Sequence, residues 1–190
     1  MSLRRPPSVD NPSRVNRLDA VLYAGAGRWK KGADVAVPWA PLMLDSEYED
    51  LFGVDYPQGK YRETPLMLAS RSGDVEEVIR LLRKKANVDL KDRFGWTALM
   101  NASEPGHLCI VALLLAFEAD VDLQNSDGWT AMIAASRNGK VDVVKLLVNK
   151  GADVSIKDHT GSTALWHARN FSIFGSGQDE VAKVLSASGS

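Results

Sequence analysis

The chain has 190 residues, with 23 Lys and Arg against 24 Asp and Glu, and a formal net charge of -1. A net charge so close to zero supplies little attraction for phosphate, which disfavours nucleic acid as the main partner. No apolar run approaches the roughly 20 residues that a membrane-spanning helix needs, which argues against an integral membrane protein, and the single cysteine, Cys109, excludes an internal disulfide.

The first 57 residues are expected to form a largely irregular N-terminal arm. Prolines at positions 6, 7, 12, 38, 41 and 57 interrupt regular elements. Residues 1–31 carry seven Lys or Arg and two Asp, whereas residues 32–57 carry six acidic residues and no basic one. Apolar side chains such as Trp29, Trp39 and Phe52 are too numerous for a purely solvating tail. Two roles stay open for the arm, a cap over the following domain or a segment that orders on a partner.

The start of the chain bears on the compartment. The sequence MSLRRPPS lacks the apolar core of a secretory signal. A single cysteine also fits a reducing environment. We therefore expect an intracellular protein, cytoplasmic in the simplest case. The Arg and Ser content resembles a transit peptide faintly, which leaves an organellar destination open.

A period of 33 residues begins in the next part of the chain. Four threonines stand at equal steps, each followed by Pro or Ala, then by Leu or Met, with an Ala five places after the Thr. They are Thr64, Thr97, Thr130 and Thr163. A hydroxyl at a helix start can satisfy backbone N–H groups, so each Thr predicts the beginning of a short helix.

A second amphipathic helix is predicted after a glycine in each of the first three units. Apolar residues recur there at offsets of three, three and one, which lie on one helical face. They are Val75, Val78, Leu81 and Leu82, then Leu108, Val111, Leu114 and Leu115, then Val141, Val144, Leu147 and Val148. One unit cannot bury its own stripe, whereas stacked neighbours can.

The residues TPLMLASRSGDVEEVIRLL, TALMNASEPGHLCIVALLL and TAMIAASRNGKVDVVKLLVNKGADV resemble ankyrin repeats. The resemblance covers four units, at about 59–92, 93–125, 126–158 and 159–187, within a domain of residues 58–190. It implies an all-α solenoid of stacked helix-turn-helix pairs joined by short hairpin-like turns.

Two departures from the family pattern predict local differences. The fourth residue of the family's TPLH tetrad is often His, and we expect apolar packing to replace its hydrogen bonds here. That position holds Met67, Met100, Ile133 and Trp166. In the fourth unit Val181 lies 38 residues after Val143, which predicts five extra residues within 171–178 and a modified C-terminal cap.

The sequence predicts no enzyme activity, no cofactor and no small-molecule substrate. His107 and Cys109 lie two residues apart on one predicted helix, so their side chains point to different faces and form no nucleophile-base pair. His159 lies at a turn tip and His167 within a helix, without Cys or carboxylate at metal-binding spacing. The chain also lacks the glycine-rich motifs that hold nucleotides.

The resemblance indicates where another protein would bind. In proteins similar to this one, residues beside the turn glycines Gly95, Gly128 and Gly161, and residues just before the next glycine, line the concave face. Carried over by position, these are Arg93, Phe94, Trp96, Glu104, Pro105, Ser126, Asp127, Trp129, Arg137, Asn138, His159, Thr160 and Ser162. Trp96 and Trp129 are predicted either to anchor a partner or to stack and stiffen the turns, and both readings stay open.

The sequence therefore leaves two functions open. The first is a non-catalytic protein-protein interaction module, an adaptor or scaffold, that binds a partner protein through the concave face and turn tips of the repeats. The second is an architectural subunit of a larger protein assembly, for which an organellar location stays open, anchored by the N-terminal arm. Deletion of residues 1–57 separates them, because an adaptor keeps its partner whereas an architectural subunit loses its complex.

Overall fold

The structure is a computed structural model that describes residues 53–170 and 177–188. The described residues from Val54 onward belong to one compact unit. The predicted arm lies outside the described residues except for residues 53–57, and most of the insertion predicted within 171–178 lies outside them as well.

The described residues form eight helices in four consecutive pairs. The first helices of the pairs are α1 (Pro65–Ser72), α3 (Ala98–Ser103), α5 (Ala131–Arg137) and α7 (Ala164–Asn170). The second helices are α2 (Val75–Arg83), α4 (Leu108–Ala116), α6 (Val141–Asn149) and α8 (Gly177–Ser188). Within the described ranges the extended pairing is limited to two isolated bridges, Gln58 with Glu63 and Lys157 with Thr163. The predicted all-α class is confirmed, and none of these helices is long and apolar enough to cross a membrane.

Threonine begins the first helix of each pair, as the period predicts. The hydroxyl oxygens of Thr64, Thr97 and Thr130 each accept a hydrogen bond at 3.3 Å from the backbone N–H three residues later. Thr163 makes the same bond at 3.3 Å. Each bond satisfies an N–H group that has no partner inside the helix, which fixes the residue at which the helix begins.

The helices stack in two rows that enclose the core. Helices α1, α3, α5 and α7 form one row, and α2, α4, α6 and α8 form the other. The predicted stripe residues that are fully buried are Val78, Leu81, Val111, Leu114, Val144 and Leu147. Each repeat covers the stripe of its neighbour, so the core is continuous along the stack.

The buried face of the second helices differs slightly from the predicted stripe. Val75 and Leu108 are 36% and 39% exposed, so the prediction that they are buried is wrong. Ile110 and Val143, which the stripe left out, are buried instead. In α4 the buried residues are Ile110, Val111 and Leu114, so this face keeps two residues of the predicted stripe and has Ile110 in place of Leu108.

The departures from the TPLH tetrad have two outcomes. Met67, Met100 and Ile133 are at most 2% exposed, which confirms the expected apolar packing. Met67 also accepts a hydrogen bond from the Thr64 backbone N–H through its sulfur, at 3.3 Å. Trp166 is 47% exposed, so for this residue the expected packing is wrong.

Hydrogen bonds from backbone N–H groups to aspartate side chains join the ends of neighbouring repeats. Each aspartate accepts from a residue about one repeat later at 3.0 Å: Asp55 from Asn87, Asp89 from Asp120, and Asp122 from Asp153. Val54 also packs against the core. Residues 54 and 55 therefore continue the pattern of repeat ends on the N-terminal side of α1.

Candidate partner-binding surface

Four short turns precede the first helices of the pairs, and we call them fingers: residues 58–63, 91–96, 124–129 and 157–162. In three fingers one side-chain oxygen accepts two backbone N–H groups at 2.8 to 2.9 Å. The pairs are Asp92 with Phe94 and Trp96, Asn125 with Asp127 and Trp129, and Asp158 with Thr160 and Ser162. Short Asp and Asn side chains bond readily to the backbone two residues ahead, which explains why this turn recurs.

Backbone hydrogen bonds tie each finger to the next. The N–H of Arg93 donates to the carbonyl of Tyr61 at 2.9 Å, Ser126 donates to Phe94 at 2.8 Å, and His159 donates to Asp127 at 3.0 Å. The finger tips are therefore held in fixed positions in the free protein. A surface ordered in advance loses less conformational entropy when it binds.

The third finger requires glycine at position 128 for two reasons. Gly128 has a φ of 81°, in the left-handed region that favours glycine. A Cβ at this residue would lie 2.8 Å from the backbone nitrogen of His159 and 2.9 Å from the Cα of Asp158. The close approach of the third and fourth fingers therefore depends on the missing side chain.

A row of aromatic rings crosses the repeats behind the finger tips. The ring centroids of Trp96 and Trp129 are 6.5 Å apart, and those of Trp129 and His167 are 5.3 Å apart. The guanidinium of Arg137 lies 5.0 Å from the Trp129 ring centroid. Both tryptophans are half-buried. The predicted contact between the two tryptophans is thus present, while part of each indole remains accessible to a partner.

The predicted binding residues differ in accessibility. Arg93, Phe94, Pro105, Ser126, Asp127, Asn138, His159 and Thr160 are exposed, and Trp96, Glu104, Trp129 and Arg137 are half-buried. Ser162 is only 8% exposed, and its N–H is directed at Asp158. Ser162 therefore contributes mainly to the structure of the fourth finger, and a role for the other residues in binding stays a prediction.

A buried carboxylate and imidazole meet beneath the fourth finger. His167 Nε2 lies 2.7 Å from Asp158 Oδ2, and both side chains are almost fully buried. Burial acts to raise the pKa of Asp158, but hydrogen bonds from the Thr160 hydroxyl, from His167 and from two backbone N–H groups outweigh it and lower the pKa to about 2. The ionised carboxylate accepts a hydrogen bond from the Nε2–H group of His167, which holds the imidazole between Trp129 and Trp166.

Three features of this surface are not predicted by the sequence reasoning above. Tyr61 is 42% exposed, and its ring centroid lies 5.6 Å from that of Phe94. The 33-residue step back from Phe94 would have found it. Trp166 stands exposed on His167, and only its departure from the family tetrad signalled it. The contact of Asp158 with His167 had no signal, because the two residues lie nine apart in different elements.

Cys109 and His107, which the sequence places two residues apart, have different surroundings. Cys109 is exposed on α4, and His107 points to the neighbouring repeat, where its Nε2 lies 3.1 Å from the Arg71 carbonyl. Within the described ranges no group of three or more His, Cys, Asp or Glu residues is arranged to hold a metal ion. What the finger surface does offer is aromatic area, guanidinium groups and backbone held in place.

Comparison with known proteins agrees with this architecture. A family model described as ankyrin repeats (3 copies) matches residues 44–125 and 100–190, so the match begins inside the predicted arm. No curated protein matches the sequence. Ankyrin repeats are in general protein-protein interaction modules and are typically non-catalytic. Since the matched residues make up most of the chain, the protein belongs to the ankyrin repeat family.

Proposed function

We propose that this protein is a non-catalytic adaptor that binds a segment of a partner protein through its finger tips and the adjoining row of first helices. The observation that carries the proposal is the cluster of Trp96, Trp129 and Arg137, whose side chains contact one another. Backbone hydrogen bonds hold the fingers that carry the two tryptophans. Tryptophan and arginine are among the side chains that most often dominate interface energy.

The turn itself gives no reason for tryptophan at these positions. The hydroxyl groups of Thr97 and Thr130 cap the helices that follow them. Gly95 and Gly128 adopt the positive φ that the turns require. The fourth finger has Ser162 at the position of the two tryptophans, with the same backbone hydrogen bond to the preceding Asp or Asn. A large aromatic ring is therefore available for contact with a partner segment.

We expect Trp96→Ala combined with Trp129→Ala to weaken partner binding at least tenfold, or about 1.4 kcal/mol. The loss follows from removing two half-buried rings that a partner would cover. The measurement uses peptides that the full chain selects from a phage-displayed random library, and then titrates the best peptide against wild type and variants by fluorescence anisotropy. The single variants are included, because rings in contact can couple.

Phe117→Ala provides the matched control. Phe117 is 47% exposed at the end of α4, in the other row of helices, so its loss also removes exposed aromatic area. We expect this variant to bind the peptide like wild type. Equal losses for Phe117→Ala and the tryptophan pair, or a tryptophan pair that binds normally but unfolds at lower denaturant, would contradict the proposal and make the tryptophans braces of the fingers.

The alternative function, an architectural subunit anchored by its arm, is separated by a deletion. Asp55 and Val54 contact the first repeat, so the deletion should stop at residue 52 to leave those contacts intact. An adaptor keeps its peptide affinity without residues 1–52. Retained peptide binding together with loss of the native complex would favour the architectural role instead.

A further inference from the structure

We propose that the first two fingers recognise an acidic segment of the partner. The surface consists of the exposed aromatic residues Tyr61 and Phe94 together with Lys60, Arg62 and Arg93, which are their neighbours in the sequence. We call it the basic tip. This inference rests on the proposed function and adds the chemistry of the partner. Three observations support it: an exposed aromatic pair, three exposed cations, and acidic neighbours that already have partners within the protein.

The aromatic pair stands outside the core. Tyr61 and Phe94 are 42% and 49% exposed, with ring centroids 5.6 Å apart. A hydrogen bond joins the two fingers next to these rings, because the backbone N–H of Arg93 donates to the carbonyl of Tyr61 at 2.9 Å. Two exposed rings held together on a rigid tip can receive an apolar side chain of a bound segment.

Three cations adjoin the two aromatic residues in the sequence. Lys60 Nζ lies 5.2 Å from the Tyr61 ring centroid, and Arg62 and Arg93 are exposed. In the part of the chain that the structure describes, these three side chains take part in no ion pair. Guanidinium groups that form no ion pair within the protein can form paired hydrogen bonds with the carboxylates of a partner.

The acidic residues of the same fingers already have partners within the protein. Glu63 is 8% exposed and forms an ion pair with Arg71. The Asp92 carboxylate accepts the backbone N–H groups of Phe94 and Trp96, each at 2.8 Å. The charge that the basic tip presents to a partner is therefore positive, although the chain as a whole is nearly neutral.

The backbone supplies an independent observation at Arg62. The residues one, two and three periods later are Gly95, Gly128 and Gly161, with φ from 79° to 83°. Arg62 adopts the same left-handed region with a φ of 59°. A side chain in this region costs stability relative to glycine. An arginine at a position that the turn assigns to glycine points to a benefit outside folding, and an exposed cation beside the aromatic pair provides one.

The first test compares the peptides that the full chain selects from the random phage-displayed library. Wild type should select sequences enriched in Asp and Glu beside an apolar residue. The variant with Lys60→Glu, Arg62→Glu and Arg93→Glu should select sequences enriched in Lys and Arg. The control carries Arg83→Glu, Lys85→Glu and Lys150→Glu, exposed sites at the ends of the second helices with the same change of net charge, and should select like wild type.

The outcomes separate this inference from the proposed function. Selected peptides that depend on Trp96 and Trp129 but show no acidic enrichment leave the adaptor function standing and overturn the acidic preference. Failure to select any peptide overturns both. A shift in selection by the control variant, or tighter binding of a thymidine oligonucleotide than of the selected peptide, also overturns the acidic preference.

The second test uses opposite effects of one substitution on stability and binding. Arg62→Gly should raise the denaturant midpoint of unfolding, because it relieves the left-handed backbone, and should weaken binding of the selected acidic peptide at least about threefold, with less salt dependence. Lys85→Gly is the matched control, since Lys85 is exposed with a φ of 63° near the end of α2. It should raise the midpoint and leave peptide affinity unchanged. A lowered midpoint for Arg62→Gly, or unchanged peptide affinity, overturns the assignment.

Discussion

Leu114→Ala should lower the free energy of unfolding by about 2 to 5 kcal/mol. Leu114 is fully buried in α4, which packs between α2 and α6 and against α3. Truncation removes apolar contact area and leaves a cavity that neighbours on both sides can fill only in part. Because stability in a repeat protein is shared between adjacent units, damage to a central repeat weakens two interfaces. Urea titration followed by circular dichroism measures the loss.

Leu185→Ala is the matched comparison, with the same chemical change in the last helix. Leu185 is 3% exposed in α8, which has neighbours in α5, α6 and α7 but none on its C-terminal side among the described residues. We expect a smaller loss than for Leu114→Ala, because the terminal repeat can separate without unfolding the rest. Equal losses would show that the last repeat is not peripheral to the stability of the stack.

Asp158→Ala should destabilise the fourth repeat by about 3 kcal/mol. The Asp158 carboxylate accepts hydrogen bonds from the N–H groups of Thr160 and Ser162, from the Thr160 hydroxyl and from His167. Alanine leaves these donors without their acceptor at a site that is 6% exposed in the native protein. Hydrogen exchange measured by mass spectrometry should therefore show that the variant, relative to wild type, exchanges faster in residues 158–170. The increase in residues 97–116 should be smaller.

Asp158→Asn distinguishes the turn from the imidazole contact. Asn125 already holds the third finger with its Oδ1, so an asparagine at 158 can keep the same two backbone hydrogen bonds. The variant loses the charge opposite His167, and we expect roughly half of the alanine effect. An asparagine variant as damaged as the alanine variant would assign the stability to the charged contact alone.

The same carboxylate predicts a dependence of stability on pH. The pKa of Asp158 in the folded chain is about 2, below the ordinary value of 3.8. A lowered folded pKa means that the stabilising effect is fully present above pH 3.8 and is lost as the pH falls through about 2. The difference in denaturant midpoint between wild type and Asp158→Ala should therefore shrink across this range. A difference that stays constant would contradict the ionised contact.

The sequence by itself determined the repeat and the local geometry of each unit. Thr97 and Thr130 cap helices, and Gly95 and Gly128 adopt positive φ, because each requirement acts within about four residues of chain and recurs every 33 residues. The stacking followed from the apolar stripe, since units of this kind bury it only against their neighbours. These features are periodic and local, so a single sequence exposes them.

The tertiary structure decided which side chains the surface offers. Ser162 satisfied every positional rule for the concave face yet lies buried against Asp158, whereas Tyr61 belongs to the exposed tip. The exact buried face of α4 also depended on the direction from which its neighbours approach, which selected Ile110 over Leu108.

The contact between Asp158 and His167 shows the physical reason most clearly. It joins a finger to a helix, and it forms because the fold directs both side chains into one buried space beside Trp129. Periodicity and local propensity report what each residue does for its own turn or helix. Contacts between elements depend instead on helix position and side-chain direction, which are fixed only when all repeats are packed together.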